Sequence, residues 1–330
     1  MLPTLVVLGV GIVWSIAWFV AARMIEPRIE AALARQSGDV TLTCGTGDLG
    51  GYPFRFAYDC TDAAIATRAM TARMPRLVFT VQAYDPRHLI AQAQGPGTLE
   101  VDGRTIDASW NQLLASGRTT WGALRTLAET RRADPLDAIT ELGLGATNLS
   151  LEEAGTALTI VQANAFARPA PTAVGRDVEI AVDLTDVSDP RLTTMPIDAS
   201  LRARLFSLPD DLSGDLARRW LGEEGAIGIT RLDILPGDAA LRLAGRVEAE
   251  ENGAPTGTLT LTAAQPRAVA SVLADRTLAT LAATLSNALL LTGRATEIDG
   301  RDALAVDVTI ENGDARLGFV PLGALPPLFQ

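Results

Sequence analysis

Few side chains in this sequence can do covalent or metal chemistry, and their spacing narrows what they can do. His88 is the single histidine. A serine or cysteine nucleophile that relies on an imidazole base would have to use it, and no G-x-S-x-G elbow supplies a partner. It lies in Tyr84-Asp85-Pro86-Arg87-His88, a turn context, and reads as a surface or hydrogen-bonded structural histidine. Cys44 and Cys60 are the two cysteines. With one distant histidine they cannot complete a zinc tetrahedron. In an oxidising compartment they can close a disulfide, worth about 3 kcal/mol for a loop of this size. In a reducing one they would be two buried thiols. Asp183, Asp186 and Asp189 recur at every third position, without the alternating ligands and the glycine of an EF-hand loop. They read as a solvated strand end. Gly45-Thr46-Gly47-Asp48-Leu49-Gly50 fits G-x-G-x-x-G, but Gly51-Tyr52-Pro53 stand where a phosphate-binding helix would have to begin. A glycine-rich turn is expected there. No catalytic residue, metal ligand or cofactor-binding residue is expected, so the chain reads as a non-enzyme without a cofactor.

The aromatic residues are more informative. The chain holds 8 Phe, 5 Trp and 3 Tyr, and Tyr52, Phe54, Phe56 and Tyr58 fall at alternate positions of one short segment. On a strand all four point to one face. That face is either core packing or the lining of an apolar groove, and it is the candidate apolar-ligand face. Arg55 and Asp59 then point the other way. Pro53 limits the strand to an edge or to its first residue.

These residues need elements to position them. Leu5 to Ala22 reads LVVLGVGIVWSIAWFVAA, an uncharged run long enough to span a bilayer. Trp18, toward its end, suits an interface. A cleaved signal peptide is the competing reading. The run exceeds a usual signal core, and Phe19 and Val20 crowd the small residues that cleavage requires. An uncleaved anchor is therefore expected. Arg23, Arg28 and Arg35 follow the run and no basic side chain precedes it, so the positive-inside rule alone would leave the domain in the cytoplasm. The cysteine pair points to the other side, and long domains translocate largely regardless of charge.

Four stretches are expected: a transmembrane anchor over 1–23, a juxtamembrane helix over 24–38, a β-rich subdomain with Cys44 and Cys60 over 39–168, and a second β-rich subdomain over 169–330 with a long helix at 266–291. The run Arg168 to Gly175 reads as the linker. Strict alternation marks strands at Asp177 to Val187, around Leu241 to Val247, and at Leu304 to Ile310. Turns fall at Pro236-Gly237-Asp238, Asn252-Gly253 and Asn312-Gly313, the last closing a hairpin. Helices are expected at Leu212 to Leu221, at Trp121 to Leu142 with a break at Pro135, and at Pro266 to Leu291. In the last, Leu278, Leu281, Leu285 and Leu289 form one face. The predicted class is α+β: an N-terminal transmembrane helix, then a large, curved, mainly antiparallel sheet with helices packed on one face.

Composition excludes some partners. The net charge is −11, with 28 basic residues, all arginine. An acidic chain with no basic tract argues against nucleic acid; the pairs Arg131/Arg132 and Arg218/Arg219 read as solvated charge.

Gly51-Tyr52-Pro53-Phe54-Arg55, the flanking Cys44 and Cys60, and the run Leu317-Gly318-Phe319-Val320-Pro321-Leu322-Gly323 with Leu325-Pro326-Pro327-Leu328 together resemble the bacterial domain-of-unknown-function family 2125. Its members have an N-terminal membrane segment and a G-[FY]-P-F-R-like motif. The resemblance extends over nearly the whole chain and implies no activity. In layout the chain is also similar to AsmA-like envelope proteins, which are implicated in lipid handling; that similarity is of fold alone. The expected function is that of a protein anchored in the bacterial inner membrane, its bulk in the periplasm, that binds or handles lipid or another apolar ligand. The alternative is a structural or assembly factor that docks other envelope proteins through a sheet edge.

Overall fold

The computed structural model describes residues 2–34, 40–67, 69–130, 138–170, 176–209, 216–223, 225–317 and 320–329. They form the α+β architecture expected: an apolar N-terminal helix, then strands in antiparallel ladders with a few short helices among them. Two compact units divide the chain. One comprises Met1–Ala133 with Leu142–Glu153, the other Asp134–Glu141 with Ala154–Gln330. The run Arg168 to Gly175 falls inside the second, and its positions 171–175 lie outside the described residues.

In the first unit the helix Leu2–Ala34 is unbroken and contains Pro27. A separate juxtamembrane helix is expected over 24–38; instead the helix runs on through Pro27, which removes one backbone hydrogen bond. Packing beyond it offsets the loss: Ile29 and Leu33 lie on the apolar cluster around Tyr58, Cys60 and Leu77. Positions 35–39 lie outside the described residues. The sheet of this unit centres on the strand Arg55–Thr67, which pairs with Val40–Thr43 and Thr46–Gly50 on one side and with Met70–Gln82 on the other. Met70–Gln82 continues to Asp85–Gln94 and to Gly97–Val101. Cys44 and Cys60 form a disulfide, with Cα atoms 5.3 Å apart, that crosses this sheet next to the Gly47–Cys60 pair. Thr46–Gly50 is itself a strand. A side chain at Gly47 would collide with Tyr58, so the glycine makes room for the hydroxyl end of that ring. The helix expected over Trp121 to Leu142 spans only Trp121–Thr130, and Pro135 lies outside the described residues. Leu142 belongs to a strand, Ile139–Glu153, where glycines and β-branched residues take the chain out of helical geometry.

The second unit is an antiparallel succession in chain order: Thr156–Pro169, Val178–Ser188, Ile197–Phe206, Ala226–Leu235, Ala240–Ala249, Pro255–Ala264, then Arg301–Glu311. The expected turns close it. Asn312-Gly313, both with positive φ, joins Arg301–Glu311 to Asp314–Leu317 in the register Glu311 to Asp314. Two helices, Pro266–Val272 and Arg276–Thr292, replace the single long one expected. The break has a local cause: the Val272 carbonyl accepts the Thr194 amide, and the Ala274 amide donates to the Leu192 carbonyl. Those backbone groups cannot also serve a continuous helix. Leu285 and Leu289 pack with Leu304, Val306, Val308 and Ile310, as the alternation of that strand requires. The side chains of Leu278 and Leu281 lie outside the described residues. A third helix, Leu216–Glu223, seats Trp220 and Leu221 against Leu208 and Phe329. Its expected start at Leu212 also lies outside the described residues.

Candidate functional site

The Gly-Tyr-Pro-Phe-Arg segment departs from the strand geometry expected of it. Pro53 has no amide proton and Gly51 takes φ +101, where a Cβ would clash with the Arg55 carbonyl. The Arg55 amide donates to the Gly51 carbonyl at 3.2 Å, closing a turn, and the strand begins only at Arg55. Tyr52 and Phe54 are therefore turn residues, and the four aromatics do not share one strand face. Tyr58 is core, buried beside the disulfide. Burial pushes its phenol above the usual tyrosine range, and the Glu30 and Glu26 carboxylates add to this. Phe56 is half-buried, and Phe54 stands 65% exposed at the tip.

What the turn meets is the N-terminal helix. Trp14 and Trp18, and Ser15 and Phe19, are each four apart, so these two pairs fall on adjoining positions of one helical face. Trp14 Nε1 donates to the Pro53 carbonyl at 2.9 Å, and Trp18 Nε1 to the Arg55 carbonyl at 3.1 Å. Ser15 Oγ lies 2.8 Å from the Tyr52 hydroxyl. The Trp18 ring stacks on Phe56 at 5.3 Å and meets Tyr52 edge-on at 5.5 Å, while Phe19 stacks on Tyr52 at 5.3 Å. Such ring pairs add about 0.5–1.5 kcal/mol each beyond area burial. The segment singled out as a ligand face thus grips the chain's own apolar helix with three hydrogen bonds and three ring contacts. A family model described as an uncharacterized protein conserved in bacteria matches residues 18–326. The chain belongs to the DUF2125 family. No curated protein and no solved structure matches it. In this DUF2125 protein the matched region takes in Trp18 and the whole Gly51–Arg55 turn.

The other residues with chemical potential lie apart from this site. His88 belongs to the strand Asp85–Gln94, opposite Arg118, rather than to a turn. Asp183 is paired with Arg202. Asp189 is buried, and hydrogen bonding from Arg191 holds its carboxyl below the usual range. Asp186 occupies a strand irregularity with positive φ. Among the described residues no cluster of His, Cys, Asp or Glu could hold a metal ion. A cleft of about 540 Å³ in the second unit is lined by the charged Arg168, Glu179, Arg202 and Arg204 together with Phe166 and Ile180. The sequence reading also missed partners for the turn. Trp14 and Ser15 were visible only as members of an apolar run. Ala83, whose amide donates to the Phe54 carbonyl, gave no signal at all.

Proposed function

We propose that this DUF2125 protein is a non-catalytic envelope protein of the bacterial inner membrane, with its bulk in the periplasm, that binds lipid or another apolar ligand where its first unit meets the bilayer. The observation that carries the reading is the docking of the Gly51–Arg55 turn onto Trp14, Ser15 and Trp18. A removable leader has no reason to be built into the fold, whereas here loss of the helix would strip Trp18 from Phe56 and Tyr52 and uncover the cluster beneath Ile29 and Leu33. The helix is also long and apolar enough to cross a membrane over Pro3–Ala31. The Cys44–Cys60 disulfide favours the oxidising side.

A phosphatase reporter at Gln330 is expected to be active, a cytosolic one inactive, and the protein to resist carbonate extraction at its full length. Native mass spectrometry from membrane extracts should show copurifying lipid; consistently empty protein would remove the ligand part of the reading while leaving the anchor. Docking of envelope proteins is the second reading. It is favoured by the terminal strand Val320–Ala324, which is followed by the exposed Leu325 and Leu328. Crosslinking in cells from Val320→Cys would trap one envelope protein if that reading holds.

A further inference from the structure

The place where the turn grips the helix conflicts with a domain that stands clear of the membrane. The stretch long and apolar enough to cross a membrane is Pro3–Ala31, about 43 Å long at about 1.5 Å per residue. A hydrocarbon core of about 30 Å placed anywhere along it includes Trp14 and Trp18, the residues on which the turn is docked. We propose, resting on the anchoring read above, that the Gly51–Arg55 turn and the adjoining Ala83–Tyr84 tip are themselves membrane-inserted. They lie in the bilayer beside the helix, with the Arg55 guanidinium at lipid headgroup phosphates.

Three further observations fit this placement. Backbone carbonyls in lipid must be satisfied within the protein, and four of the turn's five, those of Gly51, Pro53, Phe54 and Arg55, accept bonds from the Arg55 amide, Trp14, the Ala83 amide and Trp18; among the described residues that of Tyr52 is the exception. The exposed aromatics are concentrated here. Phe54 and Tyr84 are 65% exposed and Tyr52 50%, and Trp121, under the Arg87 guanidinium, lies at the same end of the sheet. Apart from Phe166, every exposed aromatic among the described residues is at this end or on the helix, the distribution of an interfacial belt. Arg55 is exposed and makes no ion pair among the described residues. A free guanidinium is suited to bidentate bonding with phosphate.

The test uses the full chain in vesicles of phosphatidylcholine and phosphatidylglycerol. Nitroxide labels are placed, without reductant, on Phe54→Cys, on Tyr84→Cys, on Val10→Cys within the helix, and on Thr105→Cys on an exposed strand of the same unit. Labels at 54 and 84 are expected to relax with dissolved oxygen and to be shielded from a water-soluble nickel chelate, as at 10 and opposite to 105. If 10 is shielded while 54 and 84 are open to nickel, the span is in the bilayer and the inserted turn is overturned. If 10 is open as well, the anchoring reading falls, and the insertion with it. Tyr84→Cys keeps the test decisive should the label at 54 disturb the turn. Arg55→Gln should lower the dependence of the depth at 54 on phosphatidylglycerol content; an unchanged dependence would overturn the phosphate contact.

Discussion

The two units hold their cores together by different means. The first has a modest apolar cluster of Tyr58, Cys60, Ala63, Met74, Leu77 and Ala93, sealed by a disulfide and by the foot of the N-terminal helix. The second has neither cysteine. It relies on an aliphatic layer of Leu289, Leu317, Val306, Val308 and Ile310 under a helix, and on a buried carboxylate clamped by arginines. The disulfide and the contacts of the apolar helix are therefore both concentrated in the first unit, while ordinary burial suffices in the second. The contrast teaches that the first unit should be sensitive to redox state and lipid, and the second to packing and pH.

The largest test of that contrast is Leu317→Ala. Leu317 is fully buried in the aliphatic layer, and truncating such a leucine costs about 2–5 kcal/mol. Hydrogen exchange should rise across Arg301–Glu311 and Asp314–Leu317; equal loosening of Arg55–Thr67 would break the division between units. Next comes the double change Cys44→Ser with Cys60→Ser. Freeing a loop of sequence separation 16 should cost about 3 kcal/mol. Exchange should rise in Thr46–Gly50 and Arg55–Thr67 while Pro255–Ala264 keeps its protection. Unchanged exchange in the first unit would show that its core does not need the cross-link.

Asp233→Asn is expected to have a smaller effect, of about 1–3 kcal/mol. Asp233 is 2% exposed and accepts from Arg231 and Arg242, which also reach Asp299. Burial alone would push its carboxyl up, but the arginine hydrogen bonds prevail and hold it below the usual range. Its folded pKa lies below its unfolded one, near 3.9. Its stabilisation is thus complete above that unfolded value and is lost as pH falls through the folded one. Urea midpoints of the parent should drop in that acidic window by more than those of Asp233→Asn. Parallel curves would mean that the clamp contributes nothing that depends on ionisation.

Sequence patterning foretold the second unit better than the first, and particular residues explain why. Leu304, Val306, Val308 and Ile310 alternate strictly because one face is buried and the other wet, and Asn312-Gly313 fixes the register beyond them. Local rules suffice there. The break at Leu273 was illegible because it depends on backbone bonds from Leu192 and Thr194, far away in sequence. At the candidate site the residues were legible and their arrangement was not. Tyr52, Phe54, Phe56 and Tyr58 have the period of a strand, but Pro53 and the positive φ of Gly51 turn the chain before the strand starts. That Trp14 and Trp18 bind this turn is a tertiary fact, invisible to any periodicity.

The smallest expected effect is the sharpest probe of that tertiary contact. Ser15 Oγ donates to the Gly11 carbonyl at 2.6 Å, as a helical serine often does, so its one proton is already used. The bond between Ser15 and Tyr52 must then run from the Tyr52 hydroxyl to the serine oxygen. Tyr52→Phe removes a donor but strands no proton, since Ser15 keeps its bond to Gly11. The cost should be about 0.5–1.5 kcal/mol, and the ring at position 52, stacked on Phe19 and edge-on to Trp18, stays in place. Ser15→Ala removes the acceptor instead and leaves the phenol without its partner. In water the phenol finds a new one at once; in hydrocarbon it cannot, and the penalty of an unpaired hydroxyl rises. A double-mutant cycle of Tyr52→Phe with Ser15→Ala, read by hydrogen exchange at Arg55–Thr67, should therefore give a larger coupling in vesicles than in a loose detergent micelle that admits water. Equal couplings in the two media would mean that the Tyr52 hydroxyl faces water in both, and that the first unit owes no more to lipid than the second.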